Sequence, residues 1–131
     1  MCFLKSERTK HKKSDTDFDC YKLMYLGFYS GKLRPLFHCS NEDYSVGDTM
    51  IPLLEVADET IDKSHVVNGG VIYSYTSLIT ARKATLGLLS TYPHISVTIV
   101  RCTIPAGTSY WRNCQGEIIS KKLVVKEILK R

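Results

Sequence analysis

Between Gly69 and Ile128 the hydrophobic pattern switches from strand to helix and back, and this order constrains the fold more than any other feature. GGVIYSY reads as a strand and TSLITARKATLGLLS as a helix. ISVTIVRCTIPAGTSYW reads as a strand, a turn and a new strand, and KLVVKEIL as a last strand. Within Ile95–Ile104, Ile95, Val97 and Ile99 take one face while Val100, Cys102 and Ile104 take the other, so both faces are apolar. Pro105-Ala106-Gly107 then predicts a turn, because Pro presets φ and Gly accepts the positive φ. Thr76 or Ser77 is placed to cap the helix with its hydroxyl. Leu78, Ala81, Leu88 and Leu89 form the core stripe of that helix, and Leu123, Val125 and Leu129 the inner face of the last strand.

The first half is less regular. Asp19–Tyr29 reads as a strand apolar on both faces, which places it centrally in a sheet. Ser30-Gly31-Lys32 is a hairpin signal, and the following strand, Leu33–Cys39, carries Pro35, which fits an edge or a bulge. Residues 40–68 hold turn signals, a short apolar run at Met50–Leu54 and an acidic remainder that reads as a long loop or a short helix. Residues 1–17 form a polar, basic tail without periodicity, expected to be flexible. The expectation is therefore one α+β domain over residues 18–131: a twisted, mostly antiparallel sheet with one principal helix, Ser77–Leu89, packed on it. A single helix covers one face, so an uncovered second face calls for a homo-oligomer.

At 131 residues the chain suits one domain. No apolar run approaches the roughly 20 residues that cross a bilayer, and MCFLKSERTKHKK lacks the apolar region of a secretory signal. A cytoplasmic location is expected, with the host's cytoplasm if the gene is a phage's. Cys2, Cys20, Cys39, Cys102 and Cys114 are odd in number, widely spaced and without C-x-x-C, which reads as free thiols.

Charge is segregated along the chain. The acids Glu42, Asp43, Asp48, Glu55, Asp58, Glu59 and Asp62 crowd the middle. After Val66 the bases Arg82, Lys83, Arg101, Arg112, Lys121, Lys122, Lys126, Lys130 and Arg131 face only Glu117 and Glu127. Such a surface attracts anions: phosphates, nucleotides, nucleic acid or an acidic protein.

Motifs for catalysis are absent. His38 adjoins Cys39, and His65 and His94 stand alone, which is not ligand spacing for a metal. The most suggestive cluster is Tyr110-Trp111-Arg112-Asn113, after the turn. Tyr and Trp offer flat faces to a base, Arg pairs with phosphate and Asn reads amide-like edges. Arg101 approaches it across the turn, and Tyr73 and Tyr75, before the helix, are candidates for the same cleft. Arg82 falls in the helix's apolar sector, either snorkelling at its edge or aimed at a ligand or buried carboxylate. Trp and Arg are equally favoured anchors of protein–protein interfaces.

Two resemblances rest on these residues. IYSYTS with its helix, TIPAGT, and GEIIS before a last strand resemble the distal half of the ADP-ribosyltransferase fold. There a Ser-Thr-Ser strand precedes a strand bearing a catalytic glutamate; here Tyr75-Thr76-Ser77 and Glu117 stand at those places, and CYKLMY puts Tyr21 and Lys22 where an arginine or histidine is expected. MCFLK, CYKL, IYSYTSLITARKA, CTIPAGTSYW and the SKKLVV strand are similar to small uncharacterised proteins of gut phages and Bacteroidetes. The second resemblance implies a phage accessory protein that binds something of the host's. The expected function is a non-enzymatic binding module, without cofactor, that captures an anionic ligand such as a nucleotide immune signal. An inhibitor of a host defence protein and a divergent ADP-ribosyl-handling enzyme are the alternatives.

Overall fold

The structure, a computed structural model, describes residues 10–27, 30–35, 43–58 and 70–129. Its strands are β1 (Lys10–Lys13), β2 (Phe18–Leu26), β3 (Leu33–Pro35), β4 (Thr49–Met50), β5 (Ile72–Tyr75), β6 (Val97–Ile104), β7 (Ser109–Arg112), β8 (Glu117–Ser120) and β9 (Leu123–Leu129). One helix, α1 (Leu78–Thr91), lies between β5 and β6. The strands form one sheet in the order β1-β7-β8-β5-β2-β6-β9-β4, with β3 also on β2. Every pairing is antiparallel. The fold is α+β, with one helix packed on a large antiparallel sheet. No described helix is long and apolar enough to cross a membrane.

The central place of β2 follows from its two apolar faces. Cys20 and Met24 join one core with Ile72, Val100, Cys102, Ile104, Ile118, Leu123 and Val125. Leu23 joins the other with Tyr73, Tyr75, Ile99, Trp111, Ile119 and Ala81 of α1. Ser77 caps α1: its hydroxyl accepts from the Thr80 N–H at 3.2 Å. Only Ala81 and Thr85 of α1 are buried, Ile79 and Leu86 are exposed, and Arg82 is exposed rather than part of the packed stripe.

The face away from α1 is not open. Residues 14–17, between β1 and β2, pack against residues 105–108, between β6 and β7. Ser14 N–H donates to Thr108 O at 3.0 Å and Gly107 N–H to Ser14 O at 2.7 Å. The Ser14 hydroxyl donates to Pro105 O at 2.6 Å. The β2–β6 pair is thus tied to the β1–β7 pair through residues 14–17 and 105–108. Beside this tie Phe18 meets Tyr110 edge-on, ring centroids 5.0 Å apart. Leu33, Tyr44 and Met50 close the same core. The premise of the homo-oligomer expectation, an uncovered second face, therefore does not hold.

Three other expectations change. Residues 10–17 of the supposed flexible tail are built into the fold, because β1 finds the free edge of β7. The short apolar run at Met50–Leu54 contributes only Met50 to a strand, β4, which begins at Thr49. Leu129 does not share a face with Leu123 and Val125: the β6–β9 register shifts between Arg101 and Cys102, and one extra residue on β9 turns everything after it to the other side. Leu129 accordingly packs with the α1-side core. The Pro-Ala-Gly turn is as expected, with Gly107 at φ 85. Residues 28–29, 36–39 and 59–69, with His38, Cys39 and His65, lie outside the described residues, as does Cys2.

Candidate functional site

The site grows from the β1–β7 pair. Lys10 stands opposite Arg112, His11 opposite Trp111, Lys12 opposite Tyr110 and Lys13 opposite Ser109. Side chains alternate along a strand, so the SYWRN run does not present one surface. Ser109 and Trp111 share the α1 side; Tyr110 and Arg112 share the other. Trp111 is 3% exposed, in the α1-side core, with the His11 imidazole stacked on it at 4.5 Å and 9°. Tyr110 is half-buried against Phe18. Arg112 is exposed.

Asn113 and Glu117 build the turn between β7 and β8. Asn113 Oδ1 accepts from the N–H groups of Gln115 at 3.0 Å and Glu117 at 3.1 Å, and its Nδ2 donates to Glu117 Oε1 at 2.8 Å. The Tyr73 hydroxyl donates to Glu117 Oε2. Tyr73 meets Tyr75 edge-on, centroids 5.3 Å apart. Burial, then the bond to Glu117, pushes the Tyr73 hydroxyl far above its ordinary range; burial likewise pushes Tyr75 up to about 12. Both tyrosines are neutral, internally engaged groups. The residues of the ADP-ribosyltransferase resemblance do meet in one row, since Tyr21 is opposite Tyr75 and Tyr75 opposite Glu117. Both Glu117 oxygens are nevertheless occupied by Tyr73 and Asn113, a structural use of the carboxylate.

The arginines separate by partner. Arg101 lies 3.1 Å from Glu127 and 3.5 Å from Asp19, and Arg34 lies 3.2 Å from Asp43. Arg82 is exposed on α1, which packs on β2, β5 and β6. Arg112 has no carboxylate partner among the described residues. Lys12 and Lys13, exposed beside it on β1, are likewise unpaired there. The structure thus brings Tyr110 and Arg112 together with Lys12, sends Trp111 and Asn113 inward, and leaves Arg82, Arg101, Tyr73 and Tyr75 elsewhere.

Sequence reasoning missed a second group on the α1 side of β7. The Ser109 hydroxyl donates to Asp58 Oδ2 at 2.7 Å, and His11 Nε2 lies 3.5 Å from the same oxygen. Lys121 Nζ, just past β8, lies 4.0 Å from Asp58 Oδ1 and also donates to Val56 O. Beside Lys121 is an open cavity of about 640 Å³, walled by Ile51, Pro52, Leu54, Glu55, Val56 and Ala57. The only prior signal was the basic KHKK run itself, read as tail. Among the described residues no three metal-ligating side chains gather. No protein-family model matches the chain, and no curated protein or solved structure matches it.

Proposed function

We propose that this chain is a non-enzymatic binding module that captures an anionic ligand on the β1–β7 edge. One observation carries the reading. Arg112 is exposed and has no carboxylate partner among the described residues while Arg34 and Arg101 are each held in ion pairs, and the β1 register puts the positions of Lys10 and Lys12 alongside it. Alternate residues of a strand recur at about 7 Å on one face, so this edge offers repeated cationic positions to a ligand with more than one phosphate. Arg112 supplies bidentate bonds to an oxyanion, and half-buried Tyr110 a partial aromatic face. The resemblance of the CYKL, IYSYTSLITARKA and CTIPAGTSYW runs to small phage proteins, read from the sequence alone, makes a nucleotide signal of a host defence system the ligand to try first.

Native mass spectrometry of the chain from defended cells would reveal a carried nucleotide. Titration with mono-, cyclic and oligonucleotides would follow. Arg112→Ala is expected to weaken binding about ten- to hundredfold, the worth of one charge-assisted contact, and added salt to weaken it further. A folded Arg112→Ala chain that binds as tightly as wild type would rule the edge out. An acidic host protein would use the same edge, and the mass of the complex separates the two partners. The divergent-enzyme alternative predicts hydrolysis of NAD that disappears in Glu117→Gln.

A further inference from the structure

Asp58 occupies the kind of position that an outside anion would take. Its carboxylate meets a hydroxyl from β7, an imidazole from β1 and an ammonium from beyond β8, the imidazole about a hundred residues from the other two. We infer that Ser109, His11 and Lys121 form an oxyanion site, filled in the free chain by Asp58, and that a phosphate or carboxylate of the ligand replaces the Asp58 carboxylate. The inference rests on the anion-binding reading above but concerns the other face of β7.

Three features favour exchange over a permanent tie. The two ion pairs are partly open to water, with side-chain exposures of 44% for His11, 20% for Lys121 and 34% for Asp58. Pairs in such settings are weak and screened, so a competing anion meets little resistance. Among the described residues before Asp58, Ile51, Leu53 and Leu54 are 61%, 44% and 49% exposed, and Val56 packs against the α1-side core. The cavity beside Lys121 is walled in part by Ile51, Pro52 and Leu54, which suits the apolar or flat body of the molecule whose oxyanion enters the site. The ligand class is therefore an oxyanion on an apolar or aromatic body, of which a nucleoside monophosphate is the simplest probe.

Asp58→Asn keeps the shape and the bond from Ser109 while removing the competing charge. Adenosine monophosphate and inorganic phosphate are titrated into wild type and variant, with Trp111 emission as the readout because His11 stacks on that ring. Asp58→Asn is expected to bind adenosine monophosphate about tenfold more tightly than wild type. Adding Lys121→Met to Asp58→Asn should abolish the gain. Unchanged or weaker binding in a folded Asp58→Asn chain overturns the proposal, as does absence of binding in both. Asp58→Ser is the second variant, with the same expectation; if neither variant folds, Asp58 is a structural tie and the proposal falls. The two readings fail separately. Nucleotide capture that survives Arg112→Ala sinks the edge and leaves this site standing, whereas a flat Asp58→Asn response does the reverse.

Discussion

The Lys22 ammonium lies wholly inside the sheet, 1% exposed, and donates to the backbone carbonyl of Tyr73 at 2.7 Å. Alternation along β2 puts Lys22 on the face of Cys20 and Met24, among apolar side chains and with no carboxylate partner among the described residues. Burial lowers its pKa from 10.5 to about 8. Between those values the unfolded chain binds a proton that the folded chain does not, so stability rises with pH across that window. The ceiling on the gain is roughly 3 kcal/mol, taking about 1.4 kcal/mol per pKa unit. The buried thiols Cys20 and Cys102 and the tyrosines Tyr73 and Tyr75 act in the opposite sense: folded, they keep protons that an unfolded thiol loses near 9.0 and an unfolded tyrosine near 10.0. Melting temperature should therefore climb from neutral pH to a maximum at or just below about 9 and fall above it. Lys22→Met should flatten the climb and raise stability at neutral pH by about 1–4 kcal/mol. Thermal melts across pH check this; a wild-type curve flat between pH 7 and about 8.5 would contradict a buried, titrating Lys22.

Removing residues 1–13 should destabilise the domain. It strips β1 from β7 and uncovers Trp111, whose ring loses the His11 stack. An aromatic pair alone is worth about 0.5–1.5 kcal/mol, and the lost strand pairing adds to it. A fall of several degrees in melting temperature is expected, roughly 3–5 °C per kcal/mol for a domain of this size. An unchanged melt would show that β1 is not held on β7.

Cys20 and Cys102 should behave as inert thiols although they face each other across β2 and β6. Both are 0% exposed, and burial raises both thiols, Cys20 to about 12 and Cys102 further. Their parity with the hydrogen-bonded Leu26–Ser96 pair makes them a hydrogen-bonded pair, with Cα atoms about 5.5 Å apart. Cβ atoms of such pairs stand wider than the roughly 3.8 Å a disulfide favours. With Cys2 and Cys39 replaced by serine, a thiol reagent should label exposed Cys114 at once and the other two only as the chain unfolds. Prompt labelling of three thiols would refute the burial.

Gly116→Ala should be costly. Gly116 has φ 78, and an added Cβ would come 2.9 Å from Thr80 Oγ1 and 3.0 Å from its Cγ2. Thr80 belongs to the capped first turn of α1, where its hydroxyl meets Ser77 Oγ at 2.8 Å. A loss of about 1–3 kcal/mol is expected from backbone strain together with the clash. Adding Thr80→Ala should recover part of it, since the clash goes and the positive φ stays. Denaturant melts of the three variants test this; a neutral Gly116→Ala would refute it.

Local signals carried much of this fold. The alternation of Phe18–Leu26 and Val97–Ile104, the Ser77 cap and the Pro105-Ala106-Gly107 turn each involve neighbours in sequence, so they were legible before any contact was known. The sign of the charge along the chain was legible too, and Arg112 stood out as a candidate from the Tyr110-Trp111-Arg112-Asn113 run. The basic run Lys10–Lys13 read as a tail because nothing local says that it pairs with residues about a hundred positions away. Leu129 read as inward with Val125 because one extra residue in β9, invisible in a period-two pattern, reverses its face. Trp111 and Arg112 read as one cluster, yet neighbours on a strand point apart. His11, Ser109, Lys121 and Asp58 carry no spacing that marks them as a group, because their meeting depends on antiparallel register. The sequence by itself determined the central strands, the helix and the charge; the edge strand β1, pairing partners, faces and the residues that share a site were decided only when distant strands closed on one another.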